Sequence, residues 1–325
     1  MVDYPIVAKN KTGGVFKRTL ISFFNSLIRS IAAKSYLFTE PELMENIFMW
    51  VSSMTSASSR PFRHTGTVVA LAIMSGLAEV GKGLVEGRAN TLRQVEGEQK
   101  KQKKNQARIK DLQATAQKFA DLEVQLKGII AESFDSVFVH RYRDVDPKIR
   151  LDCVTHLGEW IKIYPDYFFD GSHLRYLGWV LSDMAAPTRH EVTKQLQSIY
   201  KDEARIPGLR MFTERFRPRM VEMAARDAET GVRVDALGLL EVLRSAGLLE
   251  PDDIDTISKL IYDTDPRIRK AVVPFFVASV TDICDAKIDE LGGQEALEES
   301  TGSEGITYRC CARGRCSCNS GGSGY

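Results

Sequence analysis

Four segments in the second half of this chain place an arginine six residues after an aspartate. They are Asp144-Val-Asp-Pro-Lys-Ile-Arg150, Asp183-Met-Ala-Ala-Pro-Thr-Arg189, Asp227-Ala-Glu-Thr-Gly-Val-Arg233 and Asp263-Thr-Asp-Pro-Arg-Ile-Arg269. Successive segments lie 39, 44 and 36 residues apart. A period near 40, with apolar helical stretches between the marks, is the pattern of HEAT or armadillo repeats. One such unit cannot bury its apolar face alone, so units stack into a solenoid that offers a long surface to partners. The expected fold is all-α: a HEAT-type α-solenoid with a long helical segment near residues 90–132.

The residue types within each mark suit a turn between helices. Asp144 or Asp146 can cap the helix that follows, and Pro147 fits its first turn, where a missing N–H costs nothing. The arginine then falls on the first full turn. From there its guanidinium can reach the aspartate of the next repeat and build a ladder along the solenoid. The acidic pairs Asp144/Asp146 and Asp263/Asp265 are read as caps, not as a general acid and base.

Elsewhere the spacing of apolar residues sets the helices. Phe16 to Ala33 repeats apolar side chains at intervals of three and four. Thr39-Glu-Pro-Glu42 reads as a helix start with Thr39 as the cap, and that helix runs to about Ser53. Another helix carries Val68, Val69, Leu71, Ala72 and Met74 towards Gly81. Residues 83–132 hold strong helix formers and almost no aromatics, which predicts one long helix. Its stripe of Ile109, Leu112, Ala116, Phe119, Leu122, Leu126 and Ile129 is expected to lie on neighbouring repeats. Helix pairs then occupy 149–164 and 172–182, 188–200 and 208–225, and 232–245 and 254–262, with a further helix from Pro266. The expected division is an N-terminal helical region at 1–88, a long charged helix at 89–133, repeats at 134–220 and 221–293, and a disordered Gly/Ser/Cys-rich tail at 294–325.

Several function classes are disfavoured. No phosphate-binding Gly-x4-Gly-Lys loop, dinucleotide fingerprint, nucleophile elbow or His-Glu-x2-His motif occurs. The five histidines, His64, His140, His156, His173 and His190, are dispersed without ligand spacing. Cys310, Cys311, Cys316 and Cys318 crowd a Gly/Ser-rich end that cannot pack a core, so a disordered end is favoured over a metal cluster. No run reaches 18 apolar residues, and the stretch around Thr67 to Leu77 is too short to span a bilayer. The N-terminus is unlike a signal peptide. An intracellular, non-enzymatic chain with no cofactor, no metal and no membrane partner is expected.

Forty-four basic against 43 acidic side chains give a net charge of +1, so any case for nucleic acid is local. Lys100, Lys101, Lys103, Lys104, Arg108 and Lys110 put six positive charges within 11 residues, a candidate phosphate-contacting stripe. A solvated face or a nuclear import signal would look the same. Lys148, Lys162, Arg175 and Lys194 can add phosphate contacts. A second basic cluster, Arg210, Arg215, Arg217 and Arg219, lies beside Phe212 and Phe216 and suits protein docking or nucleic acid.

More specific are Phe138-Val-His-Arg-Tyr-Arg-Asp144, Ile149-Arg150, Leu157-Gly-Glu-Trp160, Tyr164-Pro165, Leu174-Arg-Tyr-Leu-Gly-Trp179 and Leu181-Ser-Asp183. Together they closely resemble the stromalin conservative domain, placed at 134–220, of the stromal-antigen family. These are the HEAT-repeat accessory subunits of cohesin. Upstream, Tyr4-Pro5, Phe23-Phe24, Trp50-Val-Ser-Ser-Met54 and Ser59-Arg-Pro-Phe-Arg-His-Thr65 resemble the family's N-terminal region. Downstream the likeness passes through Phe212-Thr-Glu-Arg-Phe216 to about Leu291. Family members are much longer, so the resemblance is to an N-terminal to middle portion.

The resemblance implies a non-catalytic subunit that binds the kleisin of the cohesin ring, touches the other ring subunits and the loader, and contacts double-stranded DNA. It implies a place on nuclear chromatin, in chromosome segregation and sister-chromatid cohesion through the cell cycle. In animal members the conserved domain also offers a pocket to short aromatic motifs of regulators. The matching positions here are Tyr142, Trp179 and Arg215. Two aromatic rings can take a peptide aromatic while an arginine holds a carbonyl or carboxylate. The alternative expectation is a HEAT-type scaffold of another nuclear complex, without DNA binding.

Overall fold

The computed structural model describes residues 4–8, 11–102 and 105–290. Lys103, Lys104 and the expected disordered tail at 294–325 lie outside them. The described residues contain helices and turns and no β-strand. In chain order the helices are α1 (Lys11–Ala33), α2 (Tyr36–Thr39), α3 (Pro41–Thr55), α4 (Arg60–Gln99) and α5 (Gln106–Ser133). A π-helical turn (Phe134–Phe138) leads into α6 (Val139–Arg141), α7 (Pro147–Ile163), α8 (Pro165–Phe168), α9 (Gly171–Val180) and α10 (Ala186–Tyr200). Then follow α11 (Ile206–Arg226), α12 (Thr230–Ser245), α13 (Pro251–Ser258) and α14 (Pro266–Glu290). The chain divides into two compact units at Val272/Val273, within α14. In the second unit α14 continues with Phe275 buried. The first unit is a HEAT-like array of stacked, mostly antiparallel helices.

The centre of the first unit is α4. Every residue from Gly66 to Ala78 is buried, because α1, α3, α5 and α7 pack around it. A helix apolar on all sides belongs in such a place. Its most apolar 18-residue window has a mean hydropathy of 1.7 and is 72% buried, so the length and apolarity serve the core. The helix does not stop near Gly81, where its apolar run ends, but continues to Gln99. Some of its glycines are points of close approach: a Cβ on Gly76 would lie 2.9 Å from Ile28 Cβ, and one on Gly81 would lie 2.5 Å from the Tyr164 ring. The indole of Trp160 on α7 donates to Ser75 Oγ at 2.8 Å inside this core.

Two expectations are corrected. The single helix over 83–132, and with it the 88/89 boundary, gives way to a hairpin. α4 ends at Gln99, and Asn105 caps α5 by accepting the Arg108 N–H at 3.1 Å. Helix propensity favours one continuous rod, but folding back lets Ile109, Ala116, Leu126 and Ile130 bury themselves. Burial of a few such side chains outweighs a turn's loss of helix propensity. Thr39 is also not the cap of α3. It closes α2, its hydroxyl donating to the Ser35 carbonyl at 3.2 Å, and Glu40 stands at the cap position.

The aspartate–arginine ladder forms as its spacing predicts. Arg150 Nε and Nη2 donate to Asp183 at 2.6 and 2.8 Å. Arg189 makes the same pair to Asp227 at 2.7 and 2.7 Å, and Arg233 Nη2 donates to Asp263 at 2.6 Å. Each aspartate also accepts the N–H two residues on, from Asp146, Ala185, Glu229 and Asp265 at 2.7–3.0 Å. An unforeseen rung precedes these. Arg63 on α4 pairs with Asp144 at 2.9 Å, and its Nη1 reaches the carbonyls of Ala57 and Ser58. Arg150 grips Asp144 and Val145 in the same six- and five-residue register. Alanine stands where the other turns carry aspartate, which hid this repeat in the sequence.

Candidate peptide and nucleic-acid interfaces

An aromatic stack climbs from the core to the surface at the start of the repeats at 134–220. Phe134 and Phe138 are buried and stacked with centroids 4.5 Å apart. Phe138 stacks on half-buried Tyr142 at 6.0 Å, and Tyr142 on Trp179 at 6.3 Å. Tyr176 meets Tyr142 and Trp179 edge-on at 4.9 and 5.3 Å. The spacing of four along 134, 138 and 142 puts three rings on one helical face. The outermost ring, Trp179, keeps 42% of its surface exposed, whereas Trp160 has none exposed and is the core tryptophan.

The third expected residue stands on a neighbouring helix. Arg215 on α11 is exposed and lies over the Phe216 ring at 5.4 Å. It lines a groove of about 490 Å³ with Leu174, Arg175, Met211 and Phe212. Arg175 joins the two parts: its guanidinium sits 5.5 Å over Trp179 and it lines the same groove. The structure therefore brings Tyr142 and Trp179 into ring contact, and connects Arg215 to them through Arg175. Helices α9 and α11 approach closely because Gly178 has no side chain; a Cβ there would lie 2.3 Å from the Phe216 ring. Arg175 and Tyr176 were assigned no part in this site by sequence reasoning, although they stand within Leu174-Arg-Tyr-Leu-Gly-Trp179.

The other arginines of this region are mostly committed to the fold. Arg217 is paired with Glu250 and Asp253, and Arg219 with Glu222 and the Leu181 carbonyl. Phe212 is buried. The expected cluster of arginines beside exposed aromatics is thereby reduced to Arg210 and Arg215 next to half-buried Phe216. Lys162 donates to Gln195 at 3.0 Å, whereas Lys148 and Lys194 are exposed.

Of the basic run, Lys100, Lys101, Arg108 and Lys110 stand where α4 and α5 meet as a hairpin and not along one helix face. Lys100 and Lys101 follow the end of α4, and Arg108 and Lys110 lie in the first turns of α5. Lys103 and Lys104 fall outside the described residues. Glu98 draws two of the cations inward: Lys101 donates to it at 2.7 Å and Arg108 lies 3.4 Å away. The Lys101 hydrogen bond, helped by Arg108, holds the Glu98 carboxyl below its ordinary range. Lys100 and Lys110 remain exposed.

Among the described residues no group of three or more His, Cys, Asp or Glu side chains can hold a metal ion. What the fold defines is a HEAT-type solenoid with a surface aromatic shelf beside an arginine-lined groove. Comparison with known proteins gives that class its family. The STAG domain matches residues 2–115 and the stromalin conservative domain residues 143–217. Cohesin subunit psc3 of Schizosaccharomyces pombe is 38% identical over 305 residues, 94% of this chain and 32% of that protein. Sister-chromatid cohesion protein 3 of Arabidopsis thaliana is 33% identical, over 79% of this chain and 23% of that protein. The solved structure of cohesin subunit Scc3 from Z. rouxii superposes with a TM-score of 0.73 at 27% identity, covering 91% of this chain and 33% of that one. The chain thus spans about a quarter to a third of the length of these relatives. It belongs to the stromal-antigen family of cohesin subunits.

Proposed function

We propose that this chain serves as a non-catalytic subunit of cohesin on nuclear chromatin, binding kleisin and double-stranded DNA and presenting an aromatic shelf to regulators. The reading is supported by similarity to cohesin subunits along 94% of the chain. For the regulators, the Tyr142–Trp179 stack beside Arg175 and Arg215 is the supporting observation. A peptide aromatic laid on Trp179 would extend a stack already four rings deep, and the guanidinium of Arg215 would take a backbone carbonyl or carboxylate. Aromatic contacts of this kind contribute about 0.5–1.5 kcal/mol each beyond their burial. For DNA, the hairpin tip offers phosphate contacts without base reading, so binding should be insensitive to sequence and steep in salt. Contacts with the ring subunits and loader would use the remaining solenoid surface.

Two titrations test the proposal. In the first, a labelled peptide with a Phe or Tyr motif is titrated into the wild type and Trp179→Ala; a loss of at least tenfold is expected, and equal affinity refutes the shelf. In the second, a short DNA duplex is titrated at two salt concentrations, with and without a kleisin peptide. Charge reversal at Lys100, Lys101, Arg108 and Lys110 should flatten the salt dependence. An unchanged slope would remove the hairpin tip from DNA binding and favour the scaffold without DNA.

A further inference from the structure

A second groove runs between α3 and the end of α5, and its chemistry is the reverse of the first. It encloses about 510 Å³, within the ordinary range for a binding site. Its floor is apolar: Met44 is buried, Phe48 half-buried, and Ile129 faces them from α5. Met49 stands on its rim with 57% of its surface exposed. Methionine is unbranched and polarizable, and is favoured where one surface must fit variable apolar side chains. Part of the far wall is Ser136, on the π-helical turn Phe134–Phe138. Such turns insert a residue into a helix and recur at functional sites.

The rim is acidic. Glu45 and Glu132 line the groove from opposite sides, both exposed, and neither is ion-paired among the described residues. Glu42 shares a helical face with Glu45 and Met49, and Asp135 follows Glu132 by three residues. No Lys, Arg or His occurs from Ser35 to Ser59 or from Gly128 to Val139, the segments that form both walls. An apolar trough with acidic banks and no cation fits one kind of occupant. Leucine-like side chains at helical spacing would fill the trough while lysines or arginines meet Glu45 and Glu132.

We propose that the α3–α5 groove docks a basic amphipathic helix of a partner protein. The α9–α11 groove, where Arg175 and Arg215 outweigh Glu214, would disfavour such a helix, so the two sites sort partners by charge. The test uses the full chain and a fluorescein-labelled model helix. Its leucines stand at i, i+3, i+4 and i+7 and its other positions are lysine and glutamine. A peptide of equal composition with scrambled leucines is the control. Binding should weaken about tenfold or more in Glu45→Lys/Glu132→Lys, as expected for two close charge pairs turned repulsive, and not in Arg175→Glu. Equal binding by the double variant overturns the proposal, as does equal binding of the scrambled peptide. Methyl-labelled methionine NMR of the wild type provides a check independent of substitution. The Met44 and Met49 signals should shift as the model helix is added, and unmoved signals at saturation overturn the proposal.

Discussion

Replacing Asp227 by alanine removes a well-enclosed rung of the ladder. Its carboxylate accepts two hydrogen bonds of 2.7 Å from Arg189 and one of 3.0 Å from the Glu229 N–H. The Arg189 and Asp227 side chains are only 10% and 3% exposed. Burial pushes the Asp227 carboxyl up, but the Arg189 hydrogen bonds and the Glu229 N–H outweigh it and hold it below the usual carboxylate range. Arg189 is raised above its ordinary value by the same hydrogen bonds. Removing one partner from a buried pair costs about 3–5 kcal/mol, because the survivor stays desolvated. Here Arg189 retains bonds to the carbonyls of Asp183 and Met184, so the cost should fall near 3 kcal/mol. A cycle of Asp227→Ala, Arg189→Met and the double variant, followed by urea denaturation, should give a coupling of about 1.5–3 kcal/mol. Hydrogen exchange should rise first at the turns after α9 and α11, since repeats interact mainly with their neighbours. A coupling below about 0.5 kcal/mol would mean that the pair is ornamental and that apolar packing alone sets the register of the repeats.

Two further outcomes follow from single contacts. Asp152 on α7 accepts Lys17 Nζ at 2.6 and 2.8 Å and approaches His64 Nε2 at 2.9 Å, while Tyr4 Oη meets His64 Nδ1 at 2.7 Å. Burial alone would raise the Asp152 carboxyl, but His64 and Lys17 hold it below its ordinary value. A carboxylate depressed in the folded state adds stability above its unfolded pKa, which is lost as pH falls through the folded value. Stability should therefore decline below about pH 4, and Asp152→Asn should make that decline shallower in urea midpoints taken across pH. Gly178→Ala forces a methyl against Phe216 and should cost about 1–3 kcal/mol by thermal or urea unfolding; a neutral result would mean that α9 and α11 part freely.

How far the sequence speaks depends on the range of the interaction. The ladder and most helix starts were legible because a few adjacent residues set them: aspartate, proline and arginine at fixed offsets. Arg63 escaped because Ala57 occupies the aspartate position of its turn. The hairpin between α4 and α5 escaped because local propensity sees only a good helix, whereas the gain comes from Ile109 to Ile130 folding onto α4. Trp179 could not be separated from a core tryptophan by pattern alone, since the burial of Trp160 and the exposure of Trp179 depend on which neighbouring helices cover them. The acidic groove was invisible for the same reason, as its walls lie some 85 positions apart in the chain.

One ladder residue links the two turns that carry the aromatic shelf, and that link is testable. Tyr142 stands two positions before Asp144, and Trp179 four before Asp183. Arg150 holds both turns at once: its Nη1 donates to the Asp144 carbonyl at 2.7 Å while Nε and Nη2 hold the Asp183 carboxylate. One guanidinium thus fixes the spacing of the two turns that carry the stacked rings. Lysine keeps the charge but not the planar fork, so Arg150→Lys should lose the bridge while the core stays folded. With fluorotryptophan incorporated, the Trp179 resonance should shift and broaden as the stack loosens, while that of Trp160, buried against Ser75 and Phe138, stays in place. Affinity for an aromatic peptide should fall severalfold although Arg150 stands outside the groove that would receive it. An unmoved Trp179 signal with the bridge broken would show that Tyr176 and Arg175 alone hold the shelf, and would sever the link between the repeat ladder and the surface it is inferred to position.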